Sequence, residues 1–487
     1  MSRNVEPAEP AVPVPPPAHP LELSPSGMRG LVDLAMDRIA AHVASLPAQP
    51  SADTEGAIAL ARSLKEPLPE RGAPIESLLD LLFDVAIPKS FNTAGPGYLA
   101  YIPGGGLLHS AVADLIANAT NRYVGVFAAA PALVQLETNV VRWFCQLVGY
   151  PPSAGGVLTS GGSLSILSAL ITARRERLPE DFLKGTLYVS EETHHSIQKA
   201  AMLAGFPVAN VREIPSDARF RIRLDLLEQR VDEDARAGFQ PFLVVGNAGT
   251  TNTGAVDDLA ALADIAERRR LWMHVDGAYG GFFAMTERGR KTLAGIERAD
   301  SIALDPHKSL FLPYGTGSLV VKDPAGLRRA HSLHADYLPT MQDDPDLVDF
   351  CEISPELSRD FRGLRVWLPM KLLGAGPFRD ALDEKLDLAL FAADELRKID
   401  GVELVAPPQL SLLAFRLTKP GLSGDELNAL NRDFLNRVNG RKRVYITGTV
   451  HRGRFLPRIC VLSFRTHRDR MEMALEDIRQ AARDVLA

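Results

Sequence analysis

From about residue 140 to residue 325 the chain alternates between short apolar runs and longer amphipathic ones, and this pattern restricts the fold more than any other feature. Residues 140–147 and 164–177 read as helices, 187–190 as a strand and 197–204 as a helix. Residues 242–246 read as a strand, 259–268 as a helix and 272–276 as a strand, with 301–304 and 318–321 as further buried apolar runs. Strands separated by helices build a mainly parallel sheet covered on both faces. Such sheets bind ligands at the carboxyl ends of their strands. Residues able to do chemistry are therefore expected at those ends.

Four groups stand there. Asp305-Pro306-His307-Lys308-Ser309 follows the run 301–304 and precedes the apolar Leu310-Phe311-Leu312. A lysine amine held rigid at this point can form a Schiff base with an aldehyde cofactor; taken alone, it also reads as a lysine that snorkels to the surface. Leu271-Trp272-Met273-His274-Val275-Asp276 reads as a strand that ends in a carboxylate, followed by the small-residue turn Gly277-Ala278-Tyr279-Gly280-Gly281. An ionised aspartate there suits a protonated pyridine nitrogen and keeps the ring able to draw in electrons, and Ala278 is small enough for a ring to lie against. The plain alternative is an aspartate that caps its turn. Thr159-Ser160-Gly161-Gly162-Ser163 precedes an apolar helix, so its N–H groups and the helix dipole favour an anion. Ser163 adds a hydroxyl to a phosphate or acts as an ordinary N-cap. His194 follows the strand 187–190 and can stack on a pyridine ring and pass protons, a choice that chemistry alone does not make between it and His195. An amine, a carboxylate, an imidazole and an anion turn at one sheet edge point to pyridoxal 5′-phosphate (PLP).

These segments resemble the group II PLP-dependent amino-acid decarboxylases, the family of aromatic-L-amino-acid, glutamate and histidine decarboxylases. The likeness runs from about Ser24 to the C-terminus. It rests on Thr-Ser-Gly-Gly-Ser at 159–163, Ser-Glu-Glu-Thr-His-His-Ser at 190–196, Gly-Thr-Thr at 249–251, His-Val-Asp-Gly-Ala-Tyr-Gly-Gly at 274–281 and Asp-Pro-His-Lys at 305–308, in that order. The resemblance implies a type I (aspartate aminotransferase-like) fold, with a helical N-terminal arm and a smaller α/β C-terminal domain. It implies that Lys308 holds PLP as an imine, Asp276 partners the pyridine nitrogen and His194 stacks on the ring. Gly162 and Ser163 fall in the phosphate turn, Thr251 near the cofactor's face and 3′-oxygen, Ala278 against the ring, and His307 beside the lysine. Tyr101, Ile102 and Pro103 fall on the substrate wall, and Arg458 on an arginine that can meet a substrate carboxylate; as a bare residue, Arg458 equally reads as a surface charge. Tyr337 falls on the tyrosine of a catalytic loop, which protonates the carbanion left when CO₂ departs. Relatives with phenylalanine there tend to oxidise the intermediate to an aldehyde. The chain departs from the family at Leu164-Ser165-Ile166, where many members are more polar, and at Asp305, where some have asparagine, a change expected to be without consequence. Gly125 stands where aromatic-selective members often carry a larger residue, which would widen the pocket.

The domains expected are a Pro-rich disordered tail (1–23), a helical arm (24–92), a large PLP-binding domain (93–376) and a small C-terminal domain (377–487). The arm, with apolar residues at helical spacing, reads either as a contact in a homodimer or as a cap on its own subunit. The chain has 487 residues and a net charge of −6, which gives no footprint for nucleic acid. No apolar run reaches the ~20 residues that span a bilayer. No basic stretch followed by an apolar one opens the chain, as a secretory signal would. The three cysteines Cys145, Cys351 and Cys460 are far apart and suggest neither a zinc site nor a disulfide framework. A cytoplasmic enzyme is the expectation. Its expected reaction is decarboxylation of an L-amino acid, aromatic by preference, to an amine and CO₂. The alternatives are a PLP-dependent aldehyde synthase, a decarboxylase of acidic or diamino substrates, and a non-catalytic PLP-binding dimer.

Overall fold

The computed structural model describes residues 19, 21–333 and 347–487. They divide into two compact units, one ending at Asn92 and the other beginning at Thr93.

The first unit is helical. Ser24 caps the helix Pro25–Ser45 by accepting a hydrogen bond from the Gly27 N–H, and Pro25 takes the first helical position. The helices Ala57–Ser63 and Ile75–Asp80 follow. The second of these gives way to a π-helical turn over Leu81–Ala86. Helix Pro25–Ser45 has no buried residue, and Met28, Leu31, Val32, Leu34 and Met36 all lie exposed.

The second unit carries a seven-stranded sheet. Its strands are β1 (Gly155–Thr159), β2 (Gly185–Ser190), β3 (Val211–Ile214), β4 (Gln240–Asn247), β5 (Trp272–Gly277), β6 (Ser301–Leu304) and β7 (Gly317–Val321). They lie in the order β1-β7-β6-β5-β4-β2-β3, and only β7 runs against the others. The reversal at β7 follows from its connection. A parallel neighbour needs a crossover of a dozen or more residues, usually a helix, and between β6 and β7 only the single turn Pro306–Ser309 intervenes.

Both faces of the sheet are buried, as in parallel sheets generally. Strand alternation sorts the side chains. Leu187, Val189, Leu243, Val245 and Trp272 pack with helix Gly162–Arg177 and helix Ser196–Leu203. Tyr188, Val244, Met273, Val275 and Ile302 face the other way, into a core shared with helices Pro131–Leu147, Leu224–Arg236 and Leu259–Arg269.

Further along, a four-stranded antiparallel sheet takes the order β10-β11-β9-β8, from β8 (Val402–Leu404), β9 (Leu412–Leu417), β10 (Thr447–His451) and β11 (Arg454–Cys460). Helices Gly376–Leu396, Gly424–Gly440 and Arg468–Leu486 close over one face. Between helix Gly424–Gly440 and β10, residues 444–446 form no strand. Tyr445 instead makes one isolated bridge to Tyr98, and their rings stack 5.9 Å apart.

One buried ion pair ties the segment 350–363 to the large sheet. Arg359 and Glu137 are both fully buried, with Arg359 Nη2 2.5 Å from Glu137 Oε1. Arg359 also donates to the Leu158 carbonyl in β1, and Glu137 accepts the Gly363 N–H. Breaking one partner of such a pair strands the other charge in the interior. Glu137→Ala is expected to cost about 3–5 kcal/mol, read as a fall in the denaturant midpoint, and Glu137→Leu with Arg359→Met to recover most of it.

Candidate active site

The carboxyl ends of β1, β2, β4, β5 and β6 open on one cavity of about 300 Å³. Each strand delivers a loop to it. Among the lining residues are Gly162 and Ser163 after β1, His194 after β2, Thr251 after β4, Asp276 and Ala278 from β5, and Asp305, His307 and Lys308 after β6.

Lys308 sits in the one-turn helix Pro306–Ser309, whose backbone is pinned by Lys308 N–H to Asp305 O. Its Nζ lies 2.9 Å from Asp305 Oδ2. Burial pulls the lysine pKa down, but the carboxylates of Asp305 and Asp276 outweigh it and the net direction is upward. The amine is therefore an ammonium in the free protein. Asp276, at the end of β5, accepts the Ala278 N–H at 3.1 Å, which fixes the turn beneath the cavity floor.

The structure separates the two adjacent histidines. Of the two, only His194 lines this cavity. The Ser196 N–H donates to His194 Nδ1, so a neutral ring carries its proton on Nε2. Burial, opposed by Asp276 and aided by His195 and Lys308, lowers the His194 pKa and keeps it neutral. His307 donates from Nδ1 to the Thr316 carbonyl at 2.6 Å, with Nε2 3.7 Å from Asp305 Oδ2.

Helix Gly162–Arg177 starts at the opposite wall. Its first residues, Gly162 and Ser163, line the cavity, and their N–H groups precede any intrahelical acceptor. A Cβ at Gly162 would come 3.0 Å from Asp305 Oδ2 and 3.4 Å from Ala278 Cβ. Glycine lets the wall approach these two residues this closely.

A second cavity, of about 770 Å³, shares His194 and Thr251 with the first. Its wall includes Tyr101, Glu192, Tyr445 and Arg458. Tyr101 holds a left-handed backbone, with φ of 51°, a conformation that favours glycine and concentrates at functional positions. Arg458 is only 4% exposed; its Nε donates to Thr447 Oγ1 at 2.9 Å and its Nη1 to the Thr251 carbonyl. Ile102 and Pro103 line neither cavity: Ile102 packs into the main apolar core, and both are buried. Gly125 opens no space, because the Tyr123 ring fills the place a side chain would take. Tyr337 lies outside the described residues.

Two carboxylates beside the site, Glu192 and Asp305, make contacts that the sequence does not foretell. Glu192 bonds His451 Nδ1 from the β10 end, and burial, reinforced by Glu191, pushes the Glu192 carboxyl up to about 7. Asp305 enters as a charged wall residue and not as a bystander. Nothing local in the sequence marks the first pair, since its partners are more than 250 residues apart.

The residues present fit PLP. An amine stands where an aldehyde would be held, a carboxylate and a small alanine where a pyridine ring would lie, and a helix N-terminus with a serine where a phosphate would rest. The comparisons agree. The family model described as "Pyridoxal-dependent decarboxylase conserved domain" matches residues 59–418. An aromatic-L-amino-acid decarboxylase from Bacillus atrophaeus is 33% identical over 467 residues, covering 96% of this chain and 97% of that protein. The crystal structure of Oryza sativa TDC with PLP and tryptamine has a TM-score of 0.91 at 28% identity, covering 96% of this chain and 100% of that one. The crystal structure of Rhodiola rosea 4-hydroxyphenylacetaldehyde synthase has a TM-score of 0.88 at 25% identity, again with 96% and 100% covered.

His274, two residues before Asp276, gives a stability test. Burial drives its pKa down to about 3, with Nδ1 bonded to Ser301 Oγ. The unfolded chain takes up this proton near the ordinary value of about 6.5 and the folded chain only near 3. Protons thus favour unfolding, and stability falls as pH drops through that window. His274→Gln is expected to flatten this part of the denaturation midpoint against pH. With the lysine, carboxylate, imidazole and anion turn assembled at one sheet edge and the family model spanning most of its length, the chain belongs to the pyridoxal-dependent decarboxylase family and is a PLP-dependent amino-acid decarboxylase.

Proposed function

We propose that the substrate is an aromatic L-amino acid and that the enzyme works as a cytoplasmic homodimer, releasing the amine and CO₂. The observation that carries the substrate class is the second cavity. It adjoins the cofactor cavity through His194 and Thr251, and it presents the rings of Tyr101 and Tyr445 together with the buried Arg458 guanidinium. Aromatic side chains offer a flat apolar surface to a substrate ring, and an arginine fork suits its carboxylate. The likeness to an aromatic-L-amino-acid decarboxylase supports the same reading.

When bound, PLP supplies an electron-accepting ring for the pair left behind as CO₂ departs. The chain's residues do the rest. Lys308 provides the amine that anchors the aldehyde. Asp276 would hold a proton at the pyridine nitrogen, with Ala278 and His194 as the residues to hold the ring. Gly162 and Ser163 would hold the phosphate, Thr251 would stand near the ring's face and 3′-oxygen, and His307 beside the lysine. Arg458 positions the substrate carboxylate, with Tyr101 and Tyr445 on the wall. Tyr337, or His194 from Nε2, returns a proton to Cα. Orientation of the breaking bond is the protein's main contribution.

The dimer reading rests on exposed apolar surface. Along with helix Pro25–Ser45, helix Leu108–Thr120 leaves Leu108, Val112, Leu115 and Ile116 exposed. Apolar patches of this kind mark association surfaces. Three free cysteines suit a reducing compartment. No helix among the described residues is long and apolar enough to cross a membrane.

Purified, PLP-loaded protein is expected to release amine and CO₂ from tryptophan, tyrosine or DOPA without H₂O₂. Lys308→Ala should abolish this, and Asp276→Ala should lower kcat at least about a hundredfold. Aldehyde with H₂O₂ would identify an aldehyde synthase, and activity on glutamate or 2,4-diaminobutyrate alone would reassign the pocket. Sedimentation is expected to give twice the chain mass, and Leu31→Asp with Leu34→Asp to shift it toward the monomer.

A further inference from the structure

Asp305 carries a charge at odds with its place in the cavity. It is 2% exposed, and its Oδ1 is buried with no hydrogen-bond partner among the described residues. Its Oδ2 is held by the Lys308 ammonium at 2.9 Å. The same carboxylate presses on the N-terminus of the 16-residue helix Gly162–Arg177, within 3.0 Å of where a Gly162 Cβ would stand. That helix end favours an anion, and here the chain's own anion is already beside it.

The groups around Asp305 do not neutralise it twice over. His307 is 3.7 Å away through Nε2, and burial lowers its pKa, which keeps it neutral. His194 is likewise held neutral, and Asp276 adds a second negative charge to the cavity. Lys308 is left as the cationic partner. Yet Nζ is also the atom that must bond the cofactor's aldehyde carbon, a C=N bond that forms as the aldehyde oxygen leaves in water. Loading the cofactor therefore draws Nζ away from full service to Asp305 and brings a phosphate to the same end of the cavity.

We propose that Asp305 is a specificity-determining residue for the cofactor: its buried carboxylate opposes the phosphate at the helix N-terminus and weakens retention of PLP relative to unphosphorylated pyridoxal. An asparagine of the same shape would remove the opposing charge and offer an N–H donor. The proposal rests on the reading of Lys308 as the anchoring amine and of the Gly162–Ser163 turn as the phosphate site.

The test is a pair of absorbance titrations on cofactor-stripped protein, with PLP and with pyridoxal, in the wild type and in Asp305→Asn. The ratio of pyridoxal Kd to PLP Kd is expected to rise at least about tenfold in Asp305→Asn, as one opposing charge a few ångströms away is removed. Inorganic phosphate, added as a competitor against PLP, should inhibit binding more strongly in the variant. An unchanged or smaller ratio, with phosphate competition also unchanged, would overturn the proposal. Because a partly misfolded variant would weaken both ligands together, the ratio isolates the phosphate. Retention of the bound-cofactor absorption band in Lys308→Ala would overturn both the proposal and the reading beneath it, whereas a band that needs Lys308 with a ratio that does not move would overturn the proposal alone.

Discussion

The backbone ladder of the large sheet is the constraint on which everything else depends. Asp276 lies opposite Asn247 of β4 on one side and Ala303 of β6 on the other. That register fixes where three neighbouring strands stop, and so where their loops begin. A slip of one residue would turn every side chain to the other face and carry Asp276 out of the cavity. Both faces are packed with apolar side chains, so no slipped register would be tolerated. The site's precision is thus inherited from hydrogen bonds and packing made well away from the chemistry.

Within that frame the charges are arranged against the usual effect of burial. Desolvation disfavours an ammonium, yet Lys308 stays charged because two carboxylates face it. The nearby imidazoles of His194 and His307 lack compensation on that scale and remain neutral. One cation therefore stands among two carboxylates and two neutral rings. That asymmetry sets the Lys308–Asp305 end of the cavity apart from the His194 end.

Much of this was legible because strand ends concentrate short, distinctive segments. Gly161-Gly162-Ser163, Asp276 and Lys308 are each set by local geometry, and their sequence neighbours carry the signal. Other parts were not legible for identifiable reasons. Strand β3 is an edge strand, and Val-Arg-Glu-Ile lacks the continuous apolar run of its buried neighbours. Helix Leu224–Arg236 is strongly charged and touches the core with only a few residues. Asp305 looked interchangeable with asparagine because the two have one shape. Its significance comes from an unpartnered oxygen and from a helix that arrives from another part of the chain.

The two cavities draw on different parts of the second unit. The cofactor cavity is lined by the strand ends of the large sheet and by the loops and helix starts that follow them. The adjoining cavity takes Tyr445, Thr447 and Arg458 from the smaller sheet and its approaches, and Arg458 reaches the loop after β4 at the Thr251 carbonyl. The Glu192–His451 pair makes a second tie across the same seam, two residues before His194. Substitutions in the smaller sheet can therefore reshape what is accepted beside the ring while leaving the lysine, the aspartate and the anion turn in place. The shared residues, His194 and Thr251, are where such changes would be felt by the chemistry, because they alone face both spaces.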